Sequence, residues 1–513
     1  MQGLSLSFQC LARSSNTAAV DLLVSMIADS DPVIRFSVIG AMLERPEKCC
    51  GEAVLAAWES LDFDCRRIVR KRKEWLEHAV ERSLKEKGPD LSLAISATES
   101  LGIHSVVHLL VPIIETHPSE RIRESASKTL LELVHQLGRE ARVGRMNPMV
   151  RPALIAALAD SCKRYDKHRN VELVDAFLTL STWDDAELRE LLSAKSSCAK
   201  LIGRRFQTTE RIAIIELLTG FIRKRNVPPF MIKIMAGRAD ELYRDVLLRT
   251  IGRDPSAIVL RNLQEMGMPR CCVGESELMD RVSPNLRAAA VHVYNRTHTD
   301  LLGYLRLLVA AVELGGPGCD AAVITGLNRC EVPPAKTWLR AAIILSSGDR
   351  DAIDTDPDSD LLERLIHLLD RSDTGLARSV RRILEPLHAK PMLERLQGLP
   401  IDHRRAMGRI IMMVDGDAID RIRDGLRHPV LKKRLAAISA ADAFATVDLL
   451  TDAFQRIALE DHQDARVLAC QVMANAESSA SLKLLNEMAN LPPCPVRDAA
   501  IEAIEKRATT PQS

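Results

Sequence analysis

At 513 residues the chain exceeds the ~250–300 residues at which a single compact core stops growing, so it is either divided or extended in one dimension. Its 70 Lys and Arg against 69 Asp and Glu leave a net charge of +1, which excludes an argument for any partner from global charge. Aromatic residues make up only 3%, Ala, Leu, Ile and Val dominate, and the twelve scattered cysteines form no CxxC pair. That composition points to an all-α fold with reduced, buried thiols and argues against a disulfide framework.

Met1 to Ala12 has a short Leu/Phe stretch with no basic residues before it. No later segment reaches the ~18 uncharged apolar residues of a membrane span; Leu301 to Leu314 is broken by Arg306 and Glu313. A cytoplasmic, soluble protein is expected. Asp31-Pro32-Val33-Ile34-Arg35 opens a helix that continues through Ile39 and Leu43. Asp31 is placed to cap it, and Pro32 at the first helical position lacks an N–H that would be unpaired anyway.

Trp58 and Asp62 precede the strongest basic run, Arg66, Arg67, Arg70, Lys71, Arg72 and Lys73. From 66 to 87 nine basic residues face four acidic ones. On a helix, Arg66, Arg70 and Lys73 share a face that could track phosphates. A solvated face paired to Glu74, Glu77 and Glu81 is the commoner outcome of such a pattern. Asp62 is equally well placed as the N-cap of the following helix. His104 and His108 have the spacing of helical metal ligands but no third ligand nearby, so a structural role is expected.

Further on, Gly138 to Pro152, Glu265 to Pro284 and Gly315-Gly316-Pro317-Gly318 read as breaks, the last as the most flexible stretch. Ser283-Pro284-Asn285-Leu286-Arg287 and Pro334 to Ala342 repeat the grammar of 31–35. Asp354, Asp356, Asp358 and Asp360 imitate a calcium loop but lack its Gly and its closing Glu; Asp360 is expected to open the helix Leu361 to Leu369. The surrounding acidic stretch, 349–373, is a candidate contact for a basic partner. A second basic stretch runs from Arg404 to Arg434. In the last third one unit recurs: Pro429 to Ala437, Ala465 to Cys470 and Pro495 to Ala500, with Lys432, Arg466 and Arg497 spaced 34 and 31 residues apart. Val496, Ala499, Ala500, Ala503 and Ile504 form one helical stripe, and Leu482, Leu485 and Met488 or Ala489 are the expected partner face.

A period of 31–34 residues built of helix pairs marks a solenoid, in which each unit buries its face by stacking on its neighbours. The grammar resembles HEAT-like repeats of the short bacterial type, Asp-x-x-Val-Arg-x-x-Ala, most clearly over 20–45, 283–293 and 428–507. The resemblance implies a right-handed α-α superhelix of armadillo-like stacked helix pairs. It also implies a ladder in which Asp caps the second helix of a unit and Arg pairs across to a neighbour. By matching motif those residues are Asp31 with Arg35, and Asp464 with Arg466 or Arg497; Lys432 stands where the Arg belongs and His428 where the cap belongs. HEAT-like DNA glycosylases hold a damaged nucleotide with Trp and Asp on a basic surface, which is the only such reading Trp58 and Asp62 invite.

The Gly and Pro clusters divide the chain into an N-terminal HEAT-like segment with the basic helix (1–140), degenerate helical repeats (141–282), C-terminal HEAT-like repeats (283–507) and a disordered tail (508–513). No phosphate-binding loop, dinucleotide fingerprint, nucleophile elbow or zinc motif occurs. The expected function is therefore a non-catalytic scaffold that binds a protein or peptide along its groove, without cofactor or metal. The alternative is a nucleic-acid-associated protein that grips phosphates through its basic helix faces.

Overall fold

The computed structural model describes residues 2–28, 31–142, 148–194, 196–370, 373–396 and 401–509. All of its regular elements there are helices. Backbone contacts divide the chain into two compact units, Met1–Thr250 and Ile251–Ser513. In each, a helix packs on its neighbour in sequence and also on a helix of the neighbouring repeat, which is the all-α solenoid arrangement. No helix among the described residues is long and apolar enough to cross a membrane.

In the first unit, Asp31 caps the helix Pro32–Leu43 by accepting from Val33 N at 2.8 Å. That helix packs on Phe63–Lys71, and Leu91–Leu101 packs on Glu120–Arg142, which in turn packs on Val171–Leu180 and it on Ile212–Gly220. The expected break at Gly138 is not one, because Glu120–Arg142 runs through it. A Cβ at Gly138 would sit 3.8 Å from Thr179, so the glycine serves the approach of the next helix instead of a turn. Residues 143–147 of that segment lie outside the described residues.

In the second unit the three recurring units stack in turn: Leu431–Ala443 on Gln463–Met473, and that on Pro495–Thr509. Their small residues Ala441, Ala469, Cys470 and Ala500 are fully buried, which lets the helix axes come close, and Phe454 and Ile457 fill the space behind. The stripe on Ser479–Ala489 is Ser481, Leu484, Leu485 and Met488; Leu482, expected inside, lies one position off it and is exposed. Pro495–Thr509 reaches into the expected tail, whose residues 510–513 lie outside the described residues.

The even step is interrupted between 319 and 414 for a physical reason. Cys319–Arg329 packs on Thr374–Ile383, skipping the helix Ala335–Ser347, which packs on Pro357–Leu369 and Ile401–Val414. The inserted helix breaks the sequence spacing without breaking the stack. Likewise 265–284 holds two helical elements, Arg270–Cys272 and Glu275–Arg281, where a loop is expected. The Gly315–Gly318 turn is closely held: Arg287 Nη1 donates to Leu314 O and Gly315 O, both at 2.8 Å, and a Cβ at Gly316 would meet Pro284 O at 2.5 Å.

All twelve cysteines are free and nine are buried; burial pushes the Cys50 thiol up to about 11 and Cys65 to about 12, so both stay protonated.

Candidate interaction surfaces

The last carbonyls of a helix have no partner within it and carry partial negative charge. This chain meets them with arginine. Arg45, 2% exposed, donates to Leu11 O at 2.5 Å, Ser14 O at 2.9 Å and Asn16 O at 3.4 Å. Arg223 reaches Thr250 O at 2.6 Å, and Arg238 reaches Phe206 O and Thr209 O, both at 2.9 Å. In the second unit Arg287 closes the turn already described, and Arg466 donates to Ala458 O at 2.8 Å. Apart from Arg466, these links span about one repeat of sequence, so they lock each helix end to its neighbour.

The expected ladder residues take their places in this scheme, with differences. Arg35 reaches Ser60 O at 3.4 Å and Asp62 at 3.7 Å, so its acid belongs to the next repeat and not to its own cap, Asp31. Asp464 is not the cap of Gln463–Met473; His462 Nδ1 accepts from Asp464 N at 3.4 Å instead. The carboxylate that bridges repeats there is Asp461, bound by Arg434 through Nε at 2.7 Å and Nη2 at 2.6 Å. Lys432 is exposed, because the cation position has moved two residues on, to Arg434. His428 does not cap the helix Leu431–Ala443, whose cap position is Val430 with no side-chain bond; its Nδ1 accepts from Val430 N at 3.0 Å, ahead of the first turn. Arg497 makes no ladder bond among the described residues, and its Nε is buried without an acceptor.

The basic run is drawn into the same ladder. Arg66 donates to Trp58 O and Glu59 O at 3.0 Å with its guanidinium over the Trp58 ring, Arg70 to Ser100 O at 2.8 Å, Arg72 to Leu43 O at 3.2 Å and Lys73 to Gly102 O at 3.1 Å. Arg67 pairs with Asp64 at 3.1 Å, and Lys71 is exposed. Within 404–434, Arg404 pairs with Asp442, Arg421 with Asp415 and Asp417, Arg423 with Asp420 and Arg427 with Asp452. Of the acids of 349–373, Asp349, Asp356 and Asp373 are caps, and Asp356, Asp358, Asp360 and Glu363 are ion-pair partners. Asp356, not Asp360, opens the helix Pro357–Leu369, and Asp349 and Asp373 cap two more.

Trp58 is fully buried, and Asp62 caps Phe63–Lys71 by accepting from Cys65 N at 2.8 Å, so neither offers a nucleotide pocket. His104 and His108 sit on the 3-10 helix His104–Leu109, where three residues make a turn, so their four-residue spacing does not align them. No cluster of His, Cys, Asp or Glu suited to a metal occurs among the described residues.

Several ladder carboxylates are held below their usual range. For Asp461 and Asp240 burial alone would raise the pKa, but the guanidiniums of Arg434 and Arg238 outweigh it; for Asp448 the backbone N–H groups of Glu477 and Ser478 do so. A depressed carboxylate contributes stability above its unfolded value of 3.8 and loses it as pH falls through the folded value. Urea midpoints should therefore hold steady near neutrality and drop once pH passes below 3.8, and the drop should be smaller in Asp461→Asn. An identical acid limb in that variant would remove Asp461 from the account.

Sequence reasoning missed what is left uncovered. Phe63 is 75% exposed, Val33 62% and Phe36 39%, on two helices set side by side by the Arg35–Asp62 link, Phe63 and Val33 in the first turns and Phe36 in the second. Only nine Phe occur in the chain, so displaying two together is informative. The signal available was position: Phe63 lies off the buried stripe of Cys65 and Val69.

No known family profile and no curated protein matches the sequence. Among solved structures, the chain aligns with one in a homology model of the full-length AP-3 complex (11% identity, 98% of this chain and 93% of that one, TM-score 0.29). It aligns with importin beta at 13% identity, over 99% of this chain and 82% of that one, TM-score 0.23. A chain of the SYS-1/POP-1 complex aligns at 11% identity over 100% and 85%, TM-score 0.26. At such scores the alignments carry nothing about what this chain binds. By the stacking of its own helix pairs, the protein is an all-α solenoid.

Proposed function

We propose that this protein is a non-catalytic, cytoplasmic repeat scaffold that holds a protein or peptide partner against the exposed ends of its stacked helices. One observation carries the reading: Val33, Phe36 and Phe63 stand exposed near the starts of two helices that pack on each other, and Phe63 is the most exposed Phe among the described residues. The use of Arg66, Arg70, Arg72 and Lys73 as donors to helix-end carbonyls supports it further, because those cations are already occupied and the phosphate-gripping alternative is weakened. Exposed Phe side chains flanked by charge are the usual anchors of a protein interface.

The test is crosslinking of the intact chain in its native cell, followed by identification of the captured protein. Phe36→Asp with Phe63→Asp should weaken the recovered interaction by about tenfold or more and leave the thermal midpoint unchanged. Recovery of the same partners at unchanged affinity in that variant would sink the assignment of this surface.

A further inference from the structure

In the second unit, helices Arg287–Thr297 and Cys319–Arg329 lie side by side in a tightly set register. Asn295 Nδ2 donates to Ala322 O at 3.2 Å, and a Cβ on Gly326 would meet Asn295 Oδ1 at 2.5 Å. Gly326 and Arg329 are one helical turn apart, so Arg329 stands on the side of its helix that faces Arg287–Thr297. The dipeptide Asn-Arg occurs at 295–296 and again 33 residues later at 328–329, followed each time by a buried residue, Thr297 and Cys330. Successive repeats thus present the same pair at the same helix end.

What sets these two arginines apart is that they are idle. Arg287 is spent on the Gly315 turn, and Arg382, on the next helix of the stack, donates to Leu327 O and to Cys330 O at 2.8 Å. Arg296 and Arg329 make no hydrogen bond or ion pair among the described residues, and Arg296 Nε is buried without an acceptor. Burial and the neighbouring Arg329 charge both lower the Arg296 pKa, a cost that an anion placed beside the two would relieve.

We propose that Arg296 and Arg329 form an anion-reading step that takes carboxylate side chains from an extended acidic segment of a protein partner. Neighbouring packed helices stand about 8–10 Å apart. Three residues of polyproline II chain cover about 9 Å and bring every third side chain back to the same face, so glutamates at every third position can meet both guanidiniums. Asn328 adds a neutral donor: its Oδ1 accepts from Ser379 Oγ at 3.0 Å, and its amide NH2 has no acceptor among the described residues. A nucleic acid fits less well. All five Phe, Tyr and Trp of this unit (Tyr294, Tyr304, Trp338, Phe444 and Phe454) are buried, which leaves no face for bases to stack on.

The proposal deepens the scaffold reading and rests on it. Its test uses the full chain and a fluorescein-labelled peptide with glutamate at every third position, titrated by fluorescence anisotropy across a salt series. Binding should be saturable and weaken with salt. Arg296→Gln with Arg329→Gln should cut affinity by about tenfold, whereas the same charge change at Lys432→Gln with Lys433→Gln should not. Absence of salt-sensitive binding, or equal affinity in the two double variants, overturns the proposal. So does tighter binding of a charge-matched single-stranded DNA that is lost with the same two arginines, which would assign the step to nucleic acid. Loss of peptide binding while the Phe63-dependent partner is still captured removes this step alone; loss of both removes the scaffold reading.

Discussion

Replacing Arg238 by alanine should destabilise the first unit by about 3–5 kcal/mol, the range for removing one member of a buried charged network. Arg238 is 5% exposed, and its guanidinium holds four groups at once. It donates to Phe206 O and Thr209 O, pairs with Asp240 at 2.9 Å and lies 5.0 Å from the centre of the Tyr243 ring. Without it, two carbonyls at the end of Ser197–Thr208 lose their donors and Asp240 loses its counter-charge. Arg238→Lys should recover little, because one ammonium cannot span two carbonyls and a carboxylate in a plane. Hydrogen exchange is the measurement of choice, since two compact units make a single unfolding free energy ill-defined. Faster exchange should be concentrated in Ser197–Thr208 and Pro229–Gly237. Protection unchanged in both helices would show that the network adds nothing net.

Trp338→Ala should cost the second unit a similar amount, about 3–5 kcal/mol, through the cavity left by a large core side chain. Trp338 is fully buried on the inserted helix Ala335–Ser347, and its Nε1 donates to Ile383 O at 3.1 Å. One side chain therefore ties the insertion to the end of Thr374–Ile383, across the gap where the repeat spacing fails. Trp338→Phe separates the two contributions: it keeps most of the volume but leaves Ile383 O without its donor, so about 1–2 kcal/mol should be lost. If Phe and Ala variants unfold at the same denaturant concentration, the hydrogen bond and not the volume dominates, and the cavity estimate is wrong.

The repeat grammar was legible wherever one unit followed another at an even step. Between 428 and 507, small residues recur at helical spacing because each helix must approach its equivalent closely, and that demand is written into Ala441, Ala469 and Ala500. It faded between 139 and 260, where several helices are short; Pro334 to Ala342 kept the grammar although its helix, Ala335–Ser347, is the inserted one. The ladder was half legible. Asp31 could be placed from its Pro neighbour, but the acid for Arg35 lies in another repeat, and Asp461 and Arg434 were displaced from the motif positions by two or three residues.

Charge was the least legible quantity. The common face expected for Arg66, Arg70 and Lys73 is not formed: Arg66 and Arg70 lie on Phe63–Lys71, the chain breaks at Arg72 and Lys73 opens the next helix, Lys73–Glu86. Nothing local distinguishes a cation that meets phosphate from one that meets the carbonyls of a neighbouring helix. The same holds for Arg296 and Arg329, which differ from Arg287 and Arg382 only in what stands opposite. Periodicity is a local property, so the amino-acid order alone determined that the chain is helical, paired and stacked. Partnership is non-local. Which cations cap carbonyls, which stay idle, and which Phe faces water were decided only when residues some thirty positions apart came within hydrogen-bonding reach.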